Sequence, residues 1–474
     1  MNHPRTLREL KAAGYRHRSV KDELRDNVIA RLRSRGKLFP GIIGYEHTVE
    51  PQIVNALLSR HDFILLGLRG QAKTRLLRSL AQFLDEWLPA IEGCPLNSDP
   101  LLPLTHHARH QLEVHGDATP IRWFHRDERY QEKLATPDVT IADLIGDIDP
   151  IKAATLRLDY SDERVIHYGI IARSNRGIFA INELPDLQPR IQVGLLNILE
   201  EKDFQIRGFP VRIPLDVAMV FSANPEDYTS RGRIITPLKD RLGSQIRTHY
   251  PRTLDDEIAI VRQEQHRFPA DEGVPAVLLP AFMEELVAEL THLARRSPEI
   301  SQRSGVSVRV SVANAEVLLA TALKRAIRLG EPAGVPRVSD LGAVIASTAG
   351  KVELESVGED VPEERVVERL ITKALYTTFG HRLDLDDLDE IVDAFDAGLV
   401  LETGDRIPSR EYVRWMREIP GLPEAVRRLG VDPAAGEPTT GPLVASAVEF
   451  ILEGLHLQRR LNKDRAPGGV IYRR

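Results

Sequence analysis

The sequence predicts an α/β core on a central parallel sheet, followed by an α-helical lid and a helical C-terminal region. Three observations carry this. The apolar run Ile64-Leu65-Leu66 enters a Gly-containing loop, and Lys73-Thr74 then opens a helix. Two more apolar runs, 178–181 and 217–221, end in polar residues, as buried parallel strands do at the edge where ligands bind. Beyond residue 251, apolar residues recur at helical spacing through successive segments.

In chain order, residues 1–38 are basic and polar, with helical periodicity over 20–32, and read as an exposed N-terminal extension. The core follows over 39–250. It opens on Leu38-Phe39-Pro40-Gly41-Ile42-Ile43-Gly44, a turn before a helix. Next comes Gly67-Leu68-Arg69-Gly70-Gln71-Ala72-Lys73-Thr74, continued by Arg75 into the helix. This is close to the Gly-x-x-x-x-Gly-Lys-[Ser/Thr] phosphate cradle, with Ala72 where the last glycine is usual. Backbone N–H groups and the helix N-terminus face an anion in such a loop. Lys73 is placed to reach the β/γ-phosphates of ATP, and the Thr74 hydroxyl to hold Mg²⁺.

A mixed stretch over about 88–135 holds Cys94 and five histidines, His106, His107, His110, His115 and His125. No Cys or carboxylate spacing supports a metal there, so solvated or partner-facing histidines are the reading. The strand 178–181 ends in Asn182-Glu183, and 217–221 ends in Ser222-Ala223-Asn224. Glu183 is placed to orient an attacking water, Asn224 to polarise it, and Asn182 to bond a metal-bound water without bringing charge. Asn182 and Asn224 also read as ordinary cap and turn residues. Between these strands lie an amphipathic helix over 188–200 and a hairpin signal over 203–213 around Gly208-Phe209-Pro210. Arg241, in Leu238-Lys239-Asp240-Arg241, reads as an arginine finger or a surface ion-pair partner of Asp240. Helical lid segments fill 251–395. A helical C-terminal region, 396–474, contains a Pro/Gly/Thr linker over 432–442.

Composition bounds the function. The chain has 474 residues, enough for about two to four domains. A net charge of −6 argues against a general nucleic-acid-binding surface. One cysteine excludes an internal disulfide and fits the cytoplasm. No apolar run approaches the roughly 20 residues of a membrane helix.

Together these motifs resemble the AAA+ ATPases, and among them the magnesium chelatase ATPase subunit and the MoxR-like ATPases, over about residues 38–350. The most specific match runs from Asp143 through Asn175-Arg176-Gly177-Ile178 to Leu184. The resemblance implies a P-loop AAA+ fold, ATP and Mg²⁺ as ligands, and a ring of copies, commonly a hexamer. Ile43 and Gly44 would lie at the adenine. Arg241 would act on a neighbour's γ-phosphate, and Arg309, in Ser307-Val308-Arg309-Val310-Ser311, on its own subunit's. Asn182 stands where the resembled families carry Asp, which implies slow turnover. The order of motifs also resembles the alternative-sigma-factor activators, but 151–168 lacks their Gly-Ala-Phe-Thr-Gly-Ala loop.

Two functions follow. One is an ATP-driven motor remodelling a protein partner, for which the resemblance points to one with a von Willebrand A-type domain, a module whose Asp-x-Ser-x-Ser motif this chain lacks. The other is an ATP-gated assembly scaffold with slow turnover. A transcription-activator ATPase and metal insertion into a tetrapyrrole are weaker readings.

Overall fold

The computed structural model describes residues 3–160, 162–206, 212–224, 233–266, 268–269, 273–355 and 362–474. The chain divides into two compact units, Met1–His249 and Tyr250–Arg474.

The first unit is built on five parallel strands: β1 (Phe63–Leu66), β2 (Tyr130–Leu134), β3 (Gly177–Asn182), β4 (Val217–Ala223) and β5 (Ser244–Arg247), in spatial order β5-β1-β4-β3-β2. Side chains alternate between two cores, as the period of a strand requires. Phe63, Leu65, Ile178, Ala180, Ala218 and Val220 point to one face. Ile64, Phe179, Ile181, Val217, Met219 and Phe221 point to the other. With both faces covered, β3 and β4 are buried along their whole length, which is why they read as unbroken apolar runs. Register then positions the site. Leu66 pairs with Ala223 and Phe221 with Ile181. Gly67, Asn182-Glu183 and Asn224 therefore leave the sheet along one edge.

The segment 1–38 is no exposed arm. Helix Val20–Arg33 buries Val20, Leu24 and Val28 in the core of one sheet face. Its Glu23 is buried too, and both carboxylate oxygens accept from Arg129, at 2.7 and 2.5 Å. Within 88–135, Trp87–Ile91 and Ile121–His125 pair antiparallel around the helix His106–His115, and 130–134 is the sheet's edge strand β2. Asp203-Phe204 pair with Ile213-Pro214, as a hairpin requires. The expected turn at 208–210 lies outside the described residues.

In the second unit, long helices Ala281–Arg296, Arg309–Leu329, Glu363–Arg382 and Thr440–Leu457 contribute to one apolar core running from Val261 to Tyr472. That core continues without a break across residue 396. A buried polar network reinforces it: Arg325 pairs with Asp340 at 2.8 Å, Arg337 with Glu331 at 2.9 Å, and Glu331 accepts from Ser409 N at 2.6 Å. The Tyr412 hydroxyl donates to Glu449 at 2.6 Å. The stretch 432–442 joins two helices of this core, Leu422–Arg428 and Thr440–Leu457. Strands Leu401–Thr403, Asn462–Ala466 and Gly469–Arg473 form a small antiparallel sheet. Among the described residues no helix is long and apolar enough to cross a membrane.

Candidate functional site

The loop after β1 is held to the sheet by backbone. Gly67 N donates to Ala223 O at 3.1 Å, and Thr248 N to Leu66 O at 2.8 Å. Gly67 is required by space: a Cβ there would stand 1.9 Å from Thr248 Oγ1 and 2.2 Å from Gln71 Oε1. Those two groups are themselves bonded, the Thr248 hydroxyl donating to Gln71 Oε1 at 2.7 Å. Gly70 has φ +72, and Ala72, the residue capping helix Lys73–Ser79, has φ 54 and ψ 17. Backbone that enters the left-handed region in such loops forms anion-binding concavities. The methyl of Ala72 is exposed and obstructs nothing.

Lys73 is buried at the centre of this loop. Its ammonium donates to Gly67 O at 2.6 Å, Leu68 O at 2.9 Å and Asn224 Oδ1 at 2.7 Å. Asn224 passes the contact on, its Nδ2 donating to Glu183 Oε2 at 3.0 Å. Residues from three strand ends thus form a relay, Lys73–Asn224–Glu183. Glu183 has left-handed backbone, φ 56 and ψ 48, a strained conformation of the kind that clusters at active sites. Asn182 Oδ1 accepts from the Ser222 hydroxyl at 3.1 Å, so β4 fixes the side chain at the end of β3.

The turn Gly41–Gly44 has φ +80 and +81 at its two glycines. Tyr45, next in sequence, ties it to the loop: its hydroxyl lies 2.9 Å from Gln71 O and 2.7 Å from His249 O. Ile43 and Gly44 therefore neighbour the phosphate loop. Arg69 and Arg75 are exposed on either side of the buried Lys73. Arg241 is elsewhere. It ends the helix Thr236–Arg241 just before β5, toward the opposite end of the sheet, and its Nε donates to Glu200 at 2.7 Å. Its partner is Glu200 rather than Asp240. Arg309 opens the helix Arg309–Leu329 of the second unit, with its side chain exposed. Sequence reading gave no role to Tyr45, Thr248 or Ser222, which act through the loop backbone and strand ends; Ser222 stood in the quoted run Ser222-Ala223-Asn224, the other two in no quoted motif.

The donor set fits a triphosphate. A buried ammonium, left-handed loop positions and a helix N-terminus converge, and all three favour anions. Thr74 and Asn182 carry side-chain oxygens, the donor type that Mg²⁺ prefers. That ion is held largely by phosphates and waters rather than by an all-protein cage. No group of three or more His, Cys, Asp or Glu is gathered for a metal among the described residues.

The family model of the Sigma-54 interaction domain matches residues 159–244, which include β3 and β4. The magnesium-chelatase 38 kDa subunit of Cereibacter sphaeroides is 27% identical over 267 residues, 54% of this chain and 70% of that protein. The subunit of the same name from Rhodobacter capsulatus is 25% identical over 251 residues, 52% of this chain and 63% of that protein. A model of the complex between subunits BchI and BchD of magnesium chelatase, based on a cryo-EM reconstruction, aligns at 21% identity with a TM-score of 0.37, covering 73% of this chain and 96% of that one.

Proposed function

We propose that this chain, an AAA+ ATPase of the magnesium-chelatase group, is a ring-forming motor that spends ATP to remodel a protein partner. The relay Lys73–Asn224–Glu183 carries the proposal, because it joins the phosphate-neutralising cation to the carboxylate that would act on water. Lys73 offsets phosphate charge, and Thr74 and Asn182 hold Mg²⁺ directly or through water. Glu183 takes the attacking water, with Asn224 fixing the carboxylate's orientation. Bound Mg²⁺ supplies neutralisation of charge on the transferring group. Positioning and electrostatics of this kind account for most of phosphoryl-transfer catalysis. Arg241, at the far end of its own sheet, serves the site of a neighbouring copy, and Arg309 serves its own. A hexameric ring and a partner carrying a von Willebrand A-type domain rest on the family resemblance, as does a cytoplasmic setting.

Asn182 favours a second reading. A neutral amide attracts Mg²⁺ less than a carboxylate, so the chain would turn over slowly and act as an ATP-gated scaffold. Steady-state phosphate release separates the two. The motor predicts slow but measurable release, lowered about 10²-fold or more in Glu183→Gln, with ATP binding retained. Release that is negligible in the wild type and restored by Asn182→Asp establishes the scaffold. Failure to bind ATP with magnesium defeats both. Contact with sigma-54 is not proposed, because 151–168 lacks the Gly-Ala-Phe-Thr-Gly-Ala loop. Metal insertion is not proposed either, since only the relatives' names suggest it.

A further inference from the structure

On the first unit, the strand Ile166–Tyr168, the start of the helix His106–His115 and the turn near Gly93 border a cleft of about 390 Å³. Its charge is one-sided. Lys152, Arg164 and Arg173 line it, with the histidines His106, His107 and His167, against a single carboxylate, Glu163. That carboxylate is already engaged. Its Oε1 accepts from His106 N at 2.7 Å and from the Tyr168 hydroxyl at 3.2 Å, and its Oε2 from Arg109 at 2.8 Å. Arg164 is matched by Asp162 at 2.6 Å. Lys152 and Arg173 have no side-chain hydrogen bond or ion pair among the described residues. Two unmatched cations thus face one cleft in a chain of net charge −6.

The helix that carries Lys152, Pro150–Leu156, and the residues near it in sequence expose apolar side chains. Ile151, next to Lys152, is 76% exposed, and Leu156 and Tyr160 follow at 53% and 57%. Leu134 and Ile141 are also exposed, so one short stretch, 134–160, holds a third of the exposed large hydrophobics among the described residues. Single exposed apolar side chains need no explanation, but a cluster beside a charged cleft has the make-up of an interface.

We infer that this cleft docks a segment of a protein partner that carries carboxylates flanked by apolar residues. The cleft is in the size range of small-ligand pockets, so it holds a few side chains rather than a long polyanion. Binding of nucleic acid draws on many phosphate contacts, and two cations on an acidic chain do not supply them. The inference rests on the proposed function only in taking the partner to be a protein. Docking is measured without nucleotide, so a failure of ATP turnover and a failure of docking are read separately.

The test is fluorescence anisotropy of a short labelled peptide of repeated Asp-Glu-Leu, titrated with the full chain at low ionic strength. Saturable binding is expected, weakening with salt. The Lys152→Glu/Arg173→Glu variant should lose about tenfold in affinity or more, with basal phosphate release unchanged. The neutral pair Lys152→Ala/Arg173→Gln guards against misfolding and should show a smaller loss in the same direction. Unchanged affinity in both variants overturns the inference. So does an equal loss on reversing Arg365 and Lys373, which stand on helix Glu363–Arg382 of the other unit. Tighter binding of a single-stranded oligonucleotide than of the peptide also overturns it.

Discussion

Replacing Ala72 with glycine stabilises the first unit if the loop keeps the backbone described above. At φ 54 and ψ 17 the residue is left-handed, and its methyl is exposed, so glycine forfeits no packing. An L-residue in that region costs about 1–2 kcal/mol. Glycine escapes the cost but gives the unfolded chain more freedom, worth about 0.4–1 kcal/mol against it. The difference favours glycine by about 0.8 kcal/mol. Were residue 72 instead a right-handed member of the following helix, the same change would cost about 1 kcal/mol. The two backbones predict opposite signs, so a small effect is decisive. Urea unfolding in a Trp415→Phe background measures it, because Trp87 and Trp123 then report on the first unit alone. The midpoint should rise with an unchanged m-value. A loss of stability in Ala72→Gly refutes the left-handed assignment, and with it the account of how Ala72 stands in for a loop glycine.

Two further predictions concern buried charge. Glu23→Ala leaves the guanidinium of Arg129, whose side chain is 0% exposed, without its carboxylate, and should cost about 3–5 kcal/mol in the same unfolding experiment. A loss under about 1 kcal/mol, as for an exposed pair, would mean that the N-terminal helix does not sit on the sheet. Asp99 sets an acid limit. Burial opposes its ionisation, but the charge of Arg176, 3.0 Å away, and hydrogen bonds from Tyr15, His17 and Leu101 N outweigh it and hold the carboxyl below the usual carboxylate range. With the folded-state value depressed, the unfolded chain binds the proton first. The stabilisation is therefore present above about pH 4 and is lost as pH falls through the folded value. Asp99→Asn should be less stable at neutral pH by about 3 kcal/mol and lose less on acidification than the wild type. Parallel stability-against-pH curves for the two proteins would show that Asp99 plays no such part.

What the sequence made legible follows from where each residue's energetics lie. β1, β3 and β4 are covered on both faces, so burial writes itself into an unbroken apolar run. Lys73, Glu183 and Asn224 stand at the ends of those runs, and strand direction alone collects them at one edge. The edge strand β2, Tyr-Gln-Glu-Lys-Leu, has no fully buried residue; it keeps the polar composition that edge strands use against aggregation and does not stand out from the mixed stretch over about 88–135. Tyr45, Thr248 and Ser222 hold the site through hydrogen bonds that suit many residue types, so no pattern announces them.

The N-terminal segment fails for a different reason. Its apolar stripe, Val20, Leu24 and Val28, is one residue wide, and Glu23 and Arg129 each read as solvated charges. A charge is buried only when its counter-charge is buried with it. Here the partner lies 106 residues away. The patterns that predict secondary structure span one or two turns and cannot register such a pair. The charge-dense N-terminal segment therefore reads as exterior, and the fold closes on it through a pair of residues distant in sequence.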